Sequence, residues 1–213
     1  MRSNNPDQPK FERMASAMEK ENFIIGITGG SGCGKTTLLR CIEEKGGLIL
    51  DCDAIYHRLL QEDTSLLFAI ETRFPGVVEQ GALQRKKLGA IVFSDPAALA
   101  DLNQITHAAV KKEVLRQLSA APKLAAIDAI GLFEGDLAGL CDVTIAVTAP
   151  TADRIRRLMA RDGISEEYAC KRIEAQHSNE EFSAMCQHTL ENDGDICAFR
   201  SKCLAFLSEF GIM

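Results

Sequence analysis

The 213-residue sequence has no tryptophan, only 2 tyrosines and no long apolar run. A helix that crosses a membrane needs about 20 consecutive apolar residues, and we therefore expect no membrane segment. A basic surplus is also missing, because 24 lysines and arginines stand against 30 aspartates and glutamates, for a net charge of −6. Nucleic-acid-binding domains usually carry a basic excess. The composition therefore argues against a nucleic-acid partner.

The 8 cysteines include no C-x-x-C pair. Zinc sites and redox motifs usually need such close pairs, so neither is predicted. Several of the cysteines lie inside apolar runs, where a free thiol behaves as a small hydrophobic side chain. We expect reduced, structural thiols in a cytoplasmic protein.

Residues 1–22 differ in pattern from the rest of the chain. Residues 1–8 are polar, and an i, i+3, i+4, i+7 pattern follows at Phe11, Met14, Ala15 and Met18. This spacing predicts a short amphipathic helix in an otherwise disordered extension. Acidic and basic residues are balanced here, unlike in a targeting peptide. We therefore expect an N-terminal extension that packs on the domain or stays loose, followed by one domain over 23–213.

Short apolar runs alternate with helical patterns along this domain. The runs predict buried strands at residues 23–28, 48–50, 123–128, 143–147 and, with a weaker pattern, 188–190. Helical periodicity fills residues 35–45, 54–118, 151–176 and 196–210, with breaks near Pro75-Gly76, Asp95-Pro96 and Asp162-Gly163.

Alternation of this kind predicts an α/β fold, in which a parallel sheet of about five strands carries helices on both faces. Roughly 70 residues separate the second and third strands, far more than one crossover needs. We assign residues 54–120 to a helical acceptor-binding subdomain. We assign residues 151–180 to a helical lid.

A glycine-rich segment follows the first strand and matches the phosphate-binding pattern G-x-x-x-x-G-K-[ST]. Its glycines let backbone N–H groups approach phosphates, the lysine reaches the β- and γ-phosphates, and the hydroxyl binds Mg²⁺. This P-loop and the start of the next helix supply the predicted ATP-binding residues, namely Gly29, Gly30, Gly32, Cys33, Gly34, Lys35, Thr36 and Thr37. Lys35 is also a catalytic candidate, and Thr36 is a candidate metal ligand.

A second motif, Asp128-Ala129-Ile130-Gly131, matches the D-x-x-G of GTPases. A guanine-reading N-K-x-D segment is absent from the sequence, which disfavours a GTPase. Asp128 is then either a carboxylate that holds Mg²⁺ through water or an ordinary helix cap or turn residue.

Two aspartates, Asp51 and Asp53, follow the second strand. Ligands of doubly wound sheets bind at the carboxyl ends of the strands. If the strand continues, alternation points both side chains the same way. A hydroxyl kinase needs a carboxylate to orient and deprotonate the acceptor. Asp53 is our candidate base, although such pairs are often only turn formers.

Residues 154–172 form a basic island of six cationic and three acidic residues in an acidic chain. Arginine suits a transferring phosphoryl group because its fork contacts two oxygens. Arg157 and Arg161 lie four residues apart and share a helix face. The island predicts a lid that closes over ATP, and the alternative is a solvated helix face.

Taken together, residues 23–210 resemble the dephospho-CoA kinase family. The matching segments are the strand and P-loop at 25–36, Asp51-Cys52-Asp53, Gly81-Ala82-Leu83-Gln84-Arg85, Ile91-Val92-Phe93, Thr106-His107, Leu132-Phe133-Glu134, the segment 157–163 and the segment 172–176. The chain departs from the family's usual residues at Ala108, Ile130, Gly131, Arg154 and Cys186-Gln187.

The resemblance implies transfer of the γ-phosphoryl group of ATP to the ribose 3′-hydroxyl of dephospho-CoA, with Mg²⁺ as cofactor. It implies that Lys35, Arg157 and Arg161 stabilise the transferring charge and that Asp53 is the base. Arg85 and His107 would lie on the acceptor side. Two other functions stay open, namely another small-molecule kinase of this fold and a non-catalytic ATP-binding regulator. We expect a monomer or a weak homo-oligomer.

Overall fold

The computed structural model describes residues 22–213. The amphipathic helix predicted around Phe11–Met18 lies outside this range. Within it, no helix is long and apolar enough to cross a membrane.

The centre of the molecule is a five-stranded parallel sheet with the strand order β2-β5-β1-β6-β7. Its strands are β1 (Phe23–Thr28), β2 (Leu48–Asp51), β5 (Leu124–Asp128), β6 (Val143–Thr148) and β7 (His188–Glu191). All five coincide with the predicted runs to within a residue or two. The register places Ile27 beside Asp128 on one side and beside Ile145 on the other. The expected α/β fold with a five-stranded parallel sheet is therefore confirmed.

Strand hydrophobicity is continuous because both faces of the sheet are covered. Every residue of β6 is buried. Along β5, Ala125 and Ile127 pack into one hydrophobic cluster, whereas Ala126 packs into the cluster on the opposite face. Successive strand side chains point to opposite faces, and each face here meets its own layer of helices.

Six of the helices in the described range divide between these two layers. One layer consists of α1 (Lys35–Glu44) and α9 (Ile196–Glu209). The other contains α2 (Cys52–Glu62), α3 (Thr64–Arg73), α4 (Arg85–Val92) and α5 (Pro96–Leu118). After β6 come α6 (Thr151–Asp162), α7 (Glu166–Glu174) and α8 (Asn179–Met185). The break at Gly163, the left-handed cap of α6, separates α6 from α7 as the sequence predicts.

Two elements were not predicted. The first is a hairpin of β3 (Val78–Glu79) and β4 (Ala82–Leu83), inside the region expected to be mostly helical. Its turn residues Gln80 and Gly81 both have positive φ, which suits a two-residue hairpin turn. The second is α8, which begins with a capping box between Ser178 and Glu181.

Candidate active site

The P-loop joins β1 to α1, and its backbone conformation requires glycine. Gly29, Gly32 and Gly34 have φ angles of 132°, 80° and 104°, a region that other residues rarely adopt. Space is a second constraint, since a Cβ atom on Gly34 would lie 2.2 Å from the side-chain nitrogen of Asn192. Glycine is therefore required at position 34, the residue just before α1.

The start of α1 is open to an anion. Its N-cap, Gly34, supplies no side-chain cap, and the first turn contains no acidic residue. The uncapped N–H groups and the positive end of the helix dipole favour a negative group at this point. Lys35 Nζ donates to the carbonyl oxygen of Gly29 at 2.7 Å, and Thr36 is exposed. Both side chains stand beside the open helix end.

Three side chains hold the outward-facing carbonyl groups at the tip of the P-loop. Arg154 Nε donates to Ser31 O at 3.0 Å, Arg157 Nη1 to Gly32 O at 3.2 Å, and Asn192 Nδ2 to Cys33 O at 2.9 Å. We call Arg154, Arg157 and Asn192 the carbonyl clamp. Burial lowers the pKa of the Arg154 guanidinium.

Arg161, the other lid candidate, contacts a different group. It donates to both carboxylate oxygens of Asp162 at 2.7 and 2.9 Å. Arg172 also bonds to Asp162, at 2.8 Å. Hydrogen bonding from Arg161 lowers the pKa of Asp162. The structure therefore brings Arg157 to the P-loop, whereas Arg161 lies in an exposed ion-pair group at the end of α6.

The paired aspartates do not lie on a continued strand. β2 ends at Asp51, whose side chain caps α2 by accepting from the N–H of Ala54 at 2.9 Å. Asp53 is therefore in the first turn of a helix, where it is exposed. Strand alternation would have pointed Asp51 and Asp53 the same way only if the strand continued, and it does not, because the side chain of Asp51 caps a helix by satisfying a free helical N–H.

Asp128 ends β5 next to Asp51. Burial raises its pKa to about 6, with Lys35 acting in the opposite direction and Asp51 and Asp53 adding to the rise. Its Oδ1 atom is buried and has no hydrogen-bond partner within residues 22–213. Asp128 thus lies within electrostatic reach of the P-loop lysine and of both aspartates that follow β2.

A cavity of about 140 Å³ opens between α2, α5 and the loop after β5. Asp53, Tyr56 and His107 all line it, as do Ala129 and Gly131 of the D-x-x-G segment. Burial raises the pKa of Tyr56, and the positive charge of Arg85, at the start of α4, opposes that rise. The structure therefore places Asp53 and His107 at one cavity, whereas Arg85 does not line it.

Three residues at the P-loop were not predicted as site residues. Arg154 belongs to the basic island, and Gln176 belongs to the segment 172–176 that resembles the family. Gln176 bonds to Ser31 twice, accepting from its N–H at 2.8 Å and donating to its Oγ at 2.9 Å. Asn192 follows β7 and carries no motif that could have identified it. Only its tertiary position, at the carboxyl end of that strand, brings it to Cys33.

Comparison with known proteins finds similarity to one family of kinases. A sequence profile of the dephospho-CoA kinase family matches residues 23–198. A dephospho-CoA kinase of Deinococcus radiodurans is 36% identical over 192 residues, covering 88% of this chain and 92% of that protein. One from Leptospira interrogans is 33% identical, with coverage of 89% and 93%. A crystal structure from Thermus thermophilus matches with a TM-score of 0.74 and 34% identity, covering 89% of this chain and 98% of that one.

Proposed function

The chain belongs to the dephospho-CoA kinase family, and from this premise we propose that it phosphorylates the ribose 3′-hydroxyl of dephospho-CoA with ATP. The observation that carries the proposal is the adjacency of two sites. The P-loop offers an open anion site at α1. Ala129, which lines the cavity with Asp53 and His107, donates its N–H to Ile27 O at 3.1 Å in the strand that leads into the P-loop. Asp128 joins them, since both Lys35 and Asp53 act on its charge.

On the donor side, Lys35 exchanges its bond to Gly29 for the β- and γ-phosphates of ATP. The N–H groups at the start of α1 bind the same polyphosphate. Fixed donors of this kind cost little reorganisation as negative charge develops on the transferring group. Arg157 is close enough to the P-loop to add its charge, and Arg161 would reach the phosphates after leaving Asp162.

On the acceptor side, Asp53 orients the hydroxyl group and accepts its proton. Its carboxylate is exposed to the cavity and is not used as a helix cap, unlike that of Asp51. His107 lies across the same cavity and Arg85 beside it, so both can contact the acceptor. In the transfer, the hydroxyl oxygen bonds to the γ-phosphorus, the bond from that phosphorus to the β,γ-bridging oxygen breaks, ADP leaves, and Asp53 takes the hydroxyl proton.

The residues present fit a magnesium ion. Mg²⁺ in phosphoryl-transfer sites binds one or two protein oxygens, with phosphates and waters completing its shell. Thr36 offers an exposed hydroxyl group, and Asp128 has a buried oxygen without a partner in the described range. We propose Thr36 as the direct ligand and Asp128 as a ligand through water. When bound, the ion would neutralise charge on the phosphates.

The free cysteines indicate the redox state of the compartment in which the enzyme acts. Cys33, Cys41, Cys52, Cys141 and Cys203 are buried as free thiols. Packed thiols of this kind suit a reducing compartment, and we place the enzyme in the cytoplasm.

The test is an ADP-release assay with purified protein, comparing dephospho-CoA with nucleosides and nucleotides as acceptors. We expect turnover with dephospho-CoA and a phosphate located on the ribose 3′ position by product mass and NMR. Faster turnover of a nucleoside or a nucleotide would favour the other small-molecule kinase. ATP binding with no turnover of any acceptor would favour a regulator.

A further inference from the structure

Arg154 is the largest side chain that is fully buried in the described part of the chain, with 2% of its surface exposed. Its guanidinium contacts Ser31 O at 3.0 Å, Gln176 Oε1 at 3.3 Å and Asn179 Oδ1 at 3.5 Å. All three acceptors are neutral amide oxygens. Burying a cation without a carboxylate partner costs free energy. An apolar side chain would fill this space at lower cost, so the contacts themselves need an explanation.

The bond to Ser31 fixes the orientation of a peptide group. In a trans peptide, the carbonyl of one residue and the N–H of the next point in opposite directions. With Ser31 O held by Arg154, the N–H of Gly32 points away from the clamp. Asn192 acts in the same way on Cys33 O and therefore on the N–H of Gly34. Within residues 22–213 neither of these N–H groups has an acceptor, and both remain available to an anion.

The same guanidinium connects the P-loop to the lid, residues 151–180. Arg154 lies in the first turns of α6, Gln176 follows α7, and Asn179 begins α8. Asn179 is itself held by a bond from its side-chain nitrogen to Ala149 O at 2.9 Å. Three segments of the lid therefore converge on Ser31 through one side chain.

We propose that Arg154 is a positioning residue for nucleotide binding, which holds the Ser31 carbonyl outward so that the Gly32 N–H faces the phosphates. It does not touch the nucleotide, and it makes the shape of the P-loop depend on the position of the lid. The inference rests on the proposed binding of ATP and extends it to a residue outside the phosphate-binding motif.

Substitution of Arg154 tests this role through ADP affinity, measured by isothermal titration calorimetry. R154M removes every donor while keeping an unbranched side chain, and R154Q keeps an amide that can donate to Ser31 O. We expect R154M to weaken ADP binding about tenfold or more, the usual scale for a bond from a charged donor. R154Q should recover part of this loss. R156M, on the exposed side of the same helix, is the matched control and should bind ADP like the wild type.

The kinetic constants distinguish a role of Arg154 in positioning the P-loop from a role in packing alone. R154M should raise the KM for ATP and leave the KM for dephospho-CoA within about twofold, with an unchanged circular dichroism spectrum. The proposal is overturned if R154M lowers the melting temperature but binds ADP normally. Equal losses in R154M and R154Q would also overturn it, because the donor to Ser31 would then be irrelevant.

A second variant covers the case in which R154M does not fold. A Cβ atom on Gly30 would lie 2.1 Å from Arg154 Nη2 and 3.1 Å from Gln176 Oε1. G30A therefore pushes the guanidinium away from Ser31 while Arg154 is still present. We expect weaker ADP binding in G30A, and little further loss when it is combined with R154Q. Wild-type affinity in G30A would refute the inference.

ADP binding by the wild-type protein distinguishes failure of the inference about Arg154 from failure of the proposed function. If the wild type does not bind ADP, the nucleotide-binding proposal fails, and the role of Arg154 fails with it. If the wild type binds ADP and the Arg154 and Gly30 variants bind it equally well, only the inference about Arg154 fails.

Discussion

The ammonium group of Lys35 lies 2.7 Å from the carbonyl oxygen of Gly29, six residues earlier in the chain. The lysine thus folds back over the loop that it belongs to, and one neutral carbonyl group accepts a hydrogen bond from its ammonium group. A phosphate oxygen is the stronger acceptor because it is ionised. Binding of ATP would therefore exchange one lysine bond for another, with the ammonium already close to its place.

Replacement of Lys35 by alanine should abolish phosphoryl transfer without unfolding the protein. The lost bond to Gly29 is a single, partly exposed contact, and its loss should change the free energy of unfolding by about 1 kcal/mol. ADP release and a thermal melt measure the two effects. Lys45→Ala, at the exposed end of the same helix, is the control and should keep full activity. Normal turnover by Lys35→Ala would refute the kinase proposal.

Asp53→Asn should bind ATP and dephospho-CoA within a few-fold of the wild type but transfer phosphate at least about 100-fold more slowly. Asparagine keeps the size of the side chain and most of its hydrogen bonding, and it cannot accept the proton. The rate of 3′-phosphorylation, measured by product mass, should fall while the KM values change little.

Asp51→Asn is the matched control for this assignment. Asp51 accepts from the N–H of Ala54, and asparagine is about as good an N-cap as aspartate. Activity and melting temperature should both stay close to wild type. If Asp51→Asn is the more damaging change, the base is misassigned, and the cap residue would have a chemical role as well.

These two aspartates show which features of the structure the sequence could predict and which it could not. The strands were predictable because apolar runs such as 143–148 have to be buried on both sheet faces. The conformation that follows β2 stayed open, because Asp51 has the same chemistry whether it continues a strand or caps a helix. Whether Asp51 continues the strand or caps the helix depends on the hydrogen bond that its side chain accepts from the N–H of Ala54. The family resemblance implied that Asp53 and His107 share the acceptor side, and both residues line one cavity.

The carbonyl clamp illustrates a different limit. Arg157 could be expected near the phosphates from the basic island. Arg154 and Asn192 reach the P-loop from 123 and 159 residues away along the chain. No spacing rule joins such positions, since they meet only when β6 and β7 align beside β1. The hairpin at 78–83 was missed for a local reason, because its turn contains glutamine in the left-handed conformation.

Arg161→Ala should lower kcat more than it raises the KM for ATP. In the structure Arg161 pairs with Asp162 and leaves 59% of its side chain exposed, so it contributes little to a preformed nucleotide site. Its contact with the phosphates would strengthen as charge develops during transfer. Steady-state kinetics at varied ATP concentration measure both constants.

Arg156→Ala is the control for the Arg161 variant, because Arg156 lies on the same helix and pairs with Asp153 at 2.7 Å. It should keep wild-type constants. If Arg161→Ala raises the KM for ATP while kcat holds, Arg161 binds the ground state only, and its catalytic role is refuted.

His177 should titrate above the ordinary histidine value of about 6.5. It lies just after α7, and its Nε2 atom is 2.9 Å from Glu134 Oε1, in the loop that follows β5. The Nδ1 atom lies 3.7 Å from Glu181, and the ring meets Phe182 edge-on. Hydrogen bonding to Glu134 is the main cause that raises the pKa of His177. An NMR titration of the ring protons measures this pKa.

The raised pKa determines how this contact depends on pH. The folded state binds the proton more tightly than the unfolded chain, so the ion pair stabilises the fold fully below about pH 6.5. The contribution is lost as the pH rises through the higher, folded-state pKa. The stability difference between wild type and His177→Gln should therefore shrink from pH 5.5 to pH 8.5. Added salt should reduce it further, because both partners are 44% exposed.

Glu134→Gln should bring the pKa of His177 back towards its ordinary value. An unchanged pKa in that variant would show that Glu134 does not hold the proton, and the predicted pH dependence would then be wrong.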